Sequence, residues 1–245
     1  MEDHSPEQIA GWLRLSYPDN EAMHVSHETI YRALYVQARG TLKRELTRHL
    51  RRGRTRRYAR AQSSKRQGQG KLTGMVMISE RPPEVEDRAV PGHWEGDLII
   101  GKDCTSAVGT LVERTTRYVL LLHLPGGRDA HLVEQAMREA IGTLPAELAR
   151  TITWDQGKEM AYPADFTFAT GIPVYFCDPH KPWQRGSNEN TNGLLRQYLP
   201  KGTDLSVHSA DDLARIAASL NTRPRKTLGF MTPSEKLAEL LARTG

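Results

Sequence analysis

Three carboxylates carry the chemistry this sequence is equipped to do: Asp97, Asp155 and Glu189. Asp97 lies in the apolar run Trp94 to Ile100, two positions after Glu95 and four after His93. In a strand that spacing turns all three side chains to one face. A carboxylate bordered by Leu98, Ile99 and Ile100 is costly to bury unless something compensates its charge. Asp155 ends the β-rich run Thr151 to Trp154, directly before Gln156-Gly157, and open sheets place their ligand sites at such strand ends. Glu189 opens a helix that follows a stiff loop, Asp178-Pro179-His180-Lys181-Pro182-Trp183-Gln184-Arg185-Gly186, with Ser187 as the expected cap. Acids drawn from two strands and a helix supply the oxygen ligands that a pair of divalent metal ions needs. Such a pair activates one oxygen and stabilises another in phosphoryl transfer on nucleic acid.

Each acid also has a plainer reading. Asp155 serves equally as a turn residue, and Glu189 favours the helix dipole at its own N-terminus. Glu95, Glu159 and Asp178 compete for the same roles. Around Glu189 stand Lys181, Arg185, Asn190 and, two turns later on the same side, Arg196; these are candidates for holding phosphates or terminal bases, or else ordinary surface charge. His180 reads as structural. No serine or cysteine constellation suited to nucleophilic catalysis is evident, and two-metal chemistry requires none.

The elements that must position these residues follow from pattern. Ser5-Pro6-Glu7-Gln8 joins a capping serine, a proline at the first helical position and a capping-box glutamine, and Tyr17-Pro18-Asp19-Asn20 breaks the helix. A second helix is expected after Ser26. Two short helices around a polar turn suggest a helix-turn-helix segment over 1–40, or equally an arbitrary helical hairpin; on the first reading His27, Glu28, Thr29 and Arg32 face base edges in the major groove. Residues 41–85 read as a basic flexible linker, in which Arg51, Arg52, Arg54, Arg56 and Arg57 lie along a DNA backbone. Residues 86–245 read as an α/β core. Its expected strands are Trp94 to Ile100, Thr110 to Glu113, Tyr118 to Leu124, Thr151 to Trp154 and Ile172 to Phe176. Its expected helices are His131 to Ile141, Pro163 to Thr170, the Glu189 helix, Ala210 to Asn221 and Pro233 to Ala242. Three strands in hairpin order followed by strands alternating with helices give a mixed five-stranded sheet with flanking helices.

Charge is distributed unevenly along the 245 residues. Residues 39–73 hold 13 of the 34 Lys and Arg and a single acid, Glu45, for a local charge of +12. The rest has 21 bases against 28 acids, or −7. A basic tract of this density is the footprint of a phosphate-binding segment or of a solvated linker. Cys104 and Cys177 lie far apart without metal-ligand spacing and read as reduced thiols. The longest apolar run is far too short to span a bilayer, and the N-terminus lacks a signal-peptide layout, so a cytosolic protein with no membrane partner is expected.

The motifs Gly92-His93-Trp94-Glu95-Gly96-Asp97-Leu98-Ile99, Thr153-Trp154-Asp155-Gln156-Gly157 and Trp183-Gln184-Arg185-Gly186-Ser187-Asn188-Glu189-Asn190-Thr191-Asn192-Gly193-Leu194 resemble those of the transposases of insertion sequence family 30. Thirty-three residues separate Asp155 from Glu189, the spacing of that family's acid signature, and the tail Asn221 to Gly229 with Thr232-Pro233 is similar too. The resemblance implies a ribonuclease H-like, retroviral-integrase-type core in which Asp97, Asp155 and Glu189 bind two Mg²⁺ ions, with Mn²⁺ as a substitute. It implies Mg²⁺-dependent cleavage and strand transfer on double-stranded DNA, with the element's terminal inverted repeats and target DNA as partners. It also implies a homo-oligomer that brings two ends together, at work in the bacterial cytosol. Members of the family usually carry a longer N-terminal region with a further helix-turn-helix. An alternative expectation is therefore a shortened, DNA-binding remnant that represses transposition without catalysis. A ribonuclease H-like nuclease without strand transfer is a third reading, disfavoured because a basic linker and helix-turn-helix suit duplex ends.

Overall fold

The computed structural model describes residues 4–34 and 74–244. The chain divides into two compact units, Gly68–Asn221 and a second formed by Met1–Gln67 together with Thr222–Gly245.

The larger unit is built on a six-stranded sheet. Its strands are β1 (Val76–Met77), β2 (His93–Ile100), β3 (Ala107–Glu113), β4 (Val119–Leu124), β5 (Thr151–Trp154) and β6 (Val174–Phe176), in the spatial order β1-β6-β5-β2-β3-β4. β2, β3 and β4 pair antiparallel; β5 pairs parallel to β2, β6 parallel to β5, and β1 parallel to β6. The five expected strands are all present. The sixth, β1, falls in the segment read as linker, and at two residues it is too short to show an alternating pattern.

Strand alternation decides what each face receives. On β2, Trp94 and Leu98 join Leu111, Leu122, Ile152 and Trp154 in a core closed by the helices Ala130–Gly142 (α3) and Pro163–Thr170 (α4). The odd positions face the other way, where Ile99 packs with Val108 and Val112 under Leu194, Leu195, Leu213 and Leu220. Those last four lie on Gly186–Leu195 (α5) and Ala210–Asn221 (α6). Glu95 and Asp97 therefore belong to the layer between the sheet and α5. This single parity choice puts acid under the Glu189 helix.

The sheet's edge at β4 is blunted by a side chain. Asn221, the last residue of α6, accepts from the Val119 amide at 2.9 Å and donates to the Val119 carbonyl at 2.9 Å. Both groups are buried, and an edge strand otherwise presents them unpaired.

In the smaller unit, the helix Pro6–Ser16 (α1) begins with the expected capping box: Ser5 accepts from the Gln8 amide while Gln8 accepts from the Ser5 amide. His27–Arg32 (α2) is capped by Ser26, with a 3₁₀ turn, Glu21–Met23, between the two helices. The C-terminal helix Pro233–Thr244 (α7) belongs here as well, although the sequence groups residues 222–245 with the core. The joining contacts explain why. Gln8 donates its spare amide proton to the Pro224 carbonyl at 2.8 Å, Lys226 pairs with Glu7 at 2.6 Å, and the Phe230 ring lies where a side chain on Gly11 would stand. None of these is visible as a local pattern.

Replacing Asn221 with Ala leaves two buried backbone groups of Val119 without partners. The expected cost is about 2 kcal/mol of unfolding free energy, read as a lower urea midpoint with an unchanged m-value.

Candidate active site

Asp97 sits in mid-strand on β2, and its neighbour Gly96 is where the sheet is tightest. A Cβ at Gly96 would come within 2.0 Å of the Trp154 ring, which is itself fully buried. Trp154 is the last residue of β5 and precedes Asp155. The glycine thus lets β5 deliver Asp155 close to Asp97. Asp155 accepts from the amide of Gly157 at 2.9 Å in a tight turn, so its plainer role as a turn residue is also fulfilled.

The two aspartates meet through one guanidinium. Arg185 Nη1 lies 3.2 Å from Asp97 Oδ1, and Nη2 lies 3.2 Å from Asp155 Oδ2. Nη1 also donates to the Gly96 carbonyl at 2.8 Å. Burial pushes the Asp97 carboxyl above its ordinary range, with Arg185 opposing that rise and Asp155 adding to it. Burial works against the charge on Arg185, but Asp97 and Asp155 more than offset it and hold the guanidinium protonated. Glu159 stands in the same field. Its carboxyl is pushed up by burial and then by Asp155, with a smaller push from Asp97.

Glu189 lies in the first turn of α5 and is exposed. Its helical neighbours show which way that face looks. Arg185, four residues before it, grips both aspartates. Asn192, three residues after it, donates to Asp97 Oδ2 at 2.9 Å. Arg196 also feels Asp97, although burial, its larger influence, holds its guanidinium below the ordinary range. Ser187 is not the expected cap. It is buried inside the helix, where its hydroxyl accepts from Arg117 and its carbonyl accepts from Thr191.

What fixes α5 is a residue that the sequence left unremarked, Asn188. Its amide donates to Glu95 Oε2 at 2.9 Å, and its side chain donates to the Glu95 carbonyl at 2.8 Å and to Thr110 Oγ1 at 3.1 Å. Glu95 is fully buried and forms an ion pair with Arg114 at 2.7 Å. That arrangement commits both carboxylate oxygens of Glu95, so this rival for the metal role is part of the frame. Asp178 is likewise engaged. It accepts from Lys181 at 2.7 Å and Gln184 at 3.0 Å, and it staples the loop ahead of α5.

The donors around Arg185 have the chemistry of a divalent-cation site. Asp97 and Asp155 converge on a single cationic group, and buried Asn192 Oδ1, beside Asp97, accepts no hydrogen bond among the described residues. Hard oxygen donors of this kind suit Mg²⁺ or Mn²⁺. Among the described residues no group of three or more His, Cys, Asp or Glu side chains is arranged to hold a metal, so the structure brings the two aspartates together without completing a triad.

The other expected contact residues are scattered. On α2, the Thr29 hydroxyl pairs with Ser26 at 2.8 Å, and Arg32 lies 3.7 Å from Glu28 with both exposed. His27 and Asn190 are exposed, and Arg196 donates to the Leu199 carbonyl at 3.3 Å. Arg51, Arg52, Arg54, Arg56 and Arg57 lie outside the described residues.

A model of the integrase core domain matches residues 87–182. The chain is similar to the transposase for insertion sequence element IS1086 of Cupriavidus metallidurans, 53% identical over 97% of this chain and 69% of that one. It is 45% identical to the transposase InsI for insertion sequence element IS30C of Escherichia coli strain K12, over 98% of this chain and 62% of that one. The chain belongs to the insertion sequence family 30 transposases. It spans less than two thirds of the Escherichia coli member's length. The stretch that matches the integrase core domain contributes β2 to β6 of the mixed six-stranded sheet. Among solved structures, the catalytic core domain of BIV integrase aligns with a TM-score of 0.47, 18% identity, 62% of this chain and 97% of that chain. No helix among the described residues is long and apolar enough to cross a membrane.

Two measurements probe the frame of the site. Gly96→Ala drives a methyl group into an immobile tryptophan, and a loss of about 1–3 kcal/mol in denaturant unfolding is expected. His93, buried against Thr151 at 2.8 Å, is pulled by burial from 6.5 to about 4. The unfolded chain thus takes up this proton near pH 6.5 and the folded chain only near pH 4, so stability falls as pH drops through that window. His93→Gln is expected to lose about 2 kcal/mol less than the parent between pH 7 and pH 5, compared by urea titration at the two values.

Proposed function

We propose that this chain catalyses divalent-metal-dependent cleavage and strand transfer at the ends of an insertion sequence, with Asp97, Asp155 and Glu189 as its acid triad. The observation that carries the reading is the meeting of Asp97 and Asp155 on one cation, beneath the helix that bears Glu189. Membership of a transposase family and the integrase core match support it.

Asp97, Asp155 and Glu189 would hold the ions, Mg²⁺ or Mn²⁺, whose charge assists the attacking oxygen and the leaving oxygen at a phosphodiester. The chain's own part is positional. Glu95, Asn188 and Thr110 set the height of α5 over β2, so that Glu189 enters from the helix while Asp97 and Asp155 enter from the sheet. Arg185 and Arg196, on the Glu189 side of the helix, are placed to take up phosphate charge, with Lys181 and Asn190 at its margin. In the smaller unit α2 serves as the reading helix, with His27, Thr29 and Arg32 near base edges, and the basic tract with Arg51, Arg52, Arg54, Arg56 and Arg57 lies along the backbone. Joining two ends to a target requires two copies, hence a homo-oligomer on DNA.

The test incubates the protein with a labelled element end, a target plasmid and Mg²⁺, beside Asp97→Asn, Asp155→Asn and Glu189→Gln. Each variant is expected to lose cleavage and joining by at least about a hundredfold while retaining DNA binding in a gel-shift assay. Glu159→Gln serves as the comparison, because Glu159 also lies in the field of the two aspartates. If Glu159→Gln abolished joining and Glu189→Gln did not, the third acid would be reassigned.

A further inference from the structure

We infer that Arg185 is a displaceable internal counter-ion: a divalent cation and this guanidinium compete for the same faces of Asp97 and Asp155. The inference rests on the reading of those two aspartates as metal ligands and goes beyond it, because it assigns Arg185 a role opposed to metal binding.

The geometry is that of an occupied cation site. The guanidinium forks across two carboxylates that belong to different strands, at 3.2 Å to each, and a planar fork is the group best shaped for such bridging. The side chain is 11% exposed, so its charge is held where few other partners are available. A cation bridging the same oxygens would stand against Arg185 at a distance where two positive charges repel strongly. Both cannot hold the aspartates in this arrangement. Asp97, by contrast, stays fixed when Arg185 departs. Asn192 grips its other oxygen at 2.9 Å, and its first oxygen accepts from the Leu98 amide at 2.9 Å. Asp155 is likewise held by the Gly157 amide through the oxygen that Arg185 does not touch. The acids are therefore anchored independently of the guanidinium that partly offsets their charge.

The position of Arg185 in the chain permits departure. It closes the short 3₁₀ turn Pro182–Arg185, ahead of α5, and the hydrogen bonds that hold this turn run through Asp178, Lys181 and Gln184 rather than through Arg185 itself. Departure also breaks the 2.8 Å hydrogen bond to the Gly96 carbonyl, and the displaced guanidinium is then a cation beside the site, suited to a DNA phosphate oxygen. One guanidinium thereby serves twice: it partly offsets the two acids before the metal arrives, and it turns toward substrate afterwards.

A ligand whose site is open in only a fraction of molecules binds with its affinity reduced by that fraction. Removing the competitor must then tighten metal binding. The experiment titrates Mn²⁺ alone, without DNA, into wild type, Arg185→Gln, Arg185→Lys and Asp97→Asn, read by calorimetry and by loss of the free-ion signal in electron paramagnetic resonance. Arg185→Gln is expected to bind Mn²⁺ at least about fivefold more tightly than wild type, with Arg185→Lys between them. Its melting temperature without metal is expected to fall and to rise more than that of wild type when Mn²⁺ is added. Equal or weaker Mn²⁺ binding by Arg185→Gln, or by Arg185→Lys should the glutamine variant not fold, overturns the inference and makes Arg185 a fixed part of the site. Mn²⁺ binding by Asp97→Asn as tight as that of wild type overturns instead the reading of the aspartates as ligands.

Discussion

Asn188 joins a helix to a sheet in the acidic region, and the positions of the surrounding groups depend on that joint. Its amide and side chain reach Glu95 and Thr110 on two adjacent strands, and the partner of Glu95 is Arg114. Glu95 and Arg114 are both buried, so the pair is worth keeping only because each remaining lone pair and proton finds a partner. From this joint, two residues along β2 lead to Asp97 and one residue along α5 leads to Glu189. Asp97 and Glu189 take their register from this joint.

Charge in this region is arranged in two layers. The inner layer, Glu95 with Arg114, is sealed and structural. The outer layer, Asp97 and Asp155 with Arg185, is partly open, and burial, with Asp155 beside it, disfavours the charge on Asp97. Glu159 adds a third acid, whose carboxyl is pushed up first by burial and then by Asp155 and Asp97. An excess of acid over base in so small a volume is poor design for stability alone. It accords with the proposed role of Asp97 and Asp155 as ligands of a cation.

How much of this was legible beforehand varied with the range of the interaction. Alternation along β2 was readable because period-two patterning is a local property, and Ser5 with Gln8 was readable because a capping box spans four residues. Val76–Met77 was not, since a two-residue strand has no period and exists only because β6 offers it an edge. Serine near a helix start is a statistical cue for a cap, whereas the burial of Ser187 against Arg117 is a tertiary fact. Asp97 and Asp155 stand out by residue type and strand context, and the structure brings the two together. The roles of Asn188, Asn192 and Arg114 are not legible in this way, because an asparagine or arginine declares its role only through the partner it meets. Residue type suggests phosphate for Arg185, and nothing local foretells that it faces inward.

The return of Thr222–Gly245 to the N-terminal helices also orders events in time. α1 leaves the ribosome early, yet the ring that fills the space beside Gly11 belongs to Phe230, and the carbonyl that Gln8 reaches belongs to Pro224. The sheet and its helices are complete by Asn221, so the unit carrying the acids has all its parts before the unit begun first can close. Helices made before the sheet are thus completed after it, and a nascent chain halted in Pro233–Thr244 would hold an assembled sheet unit and a smaller unit still lacking its last helix.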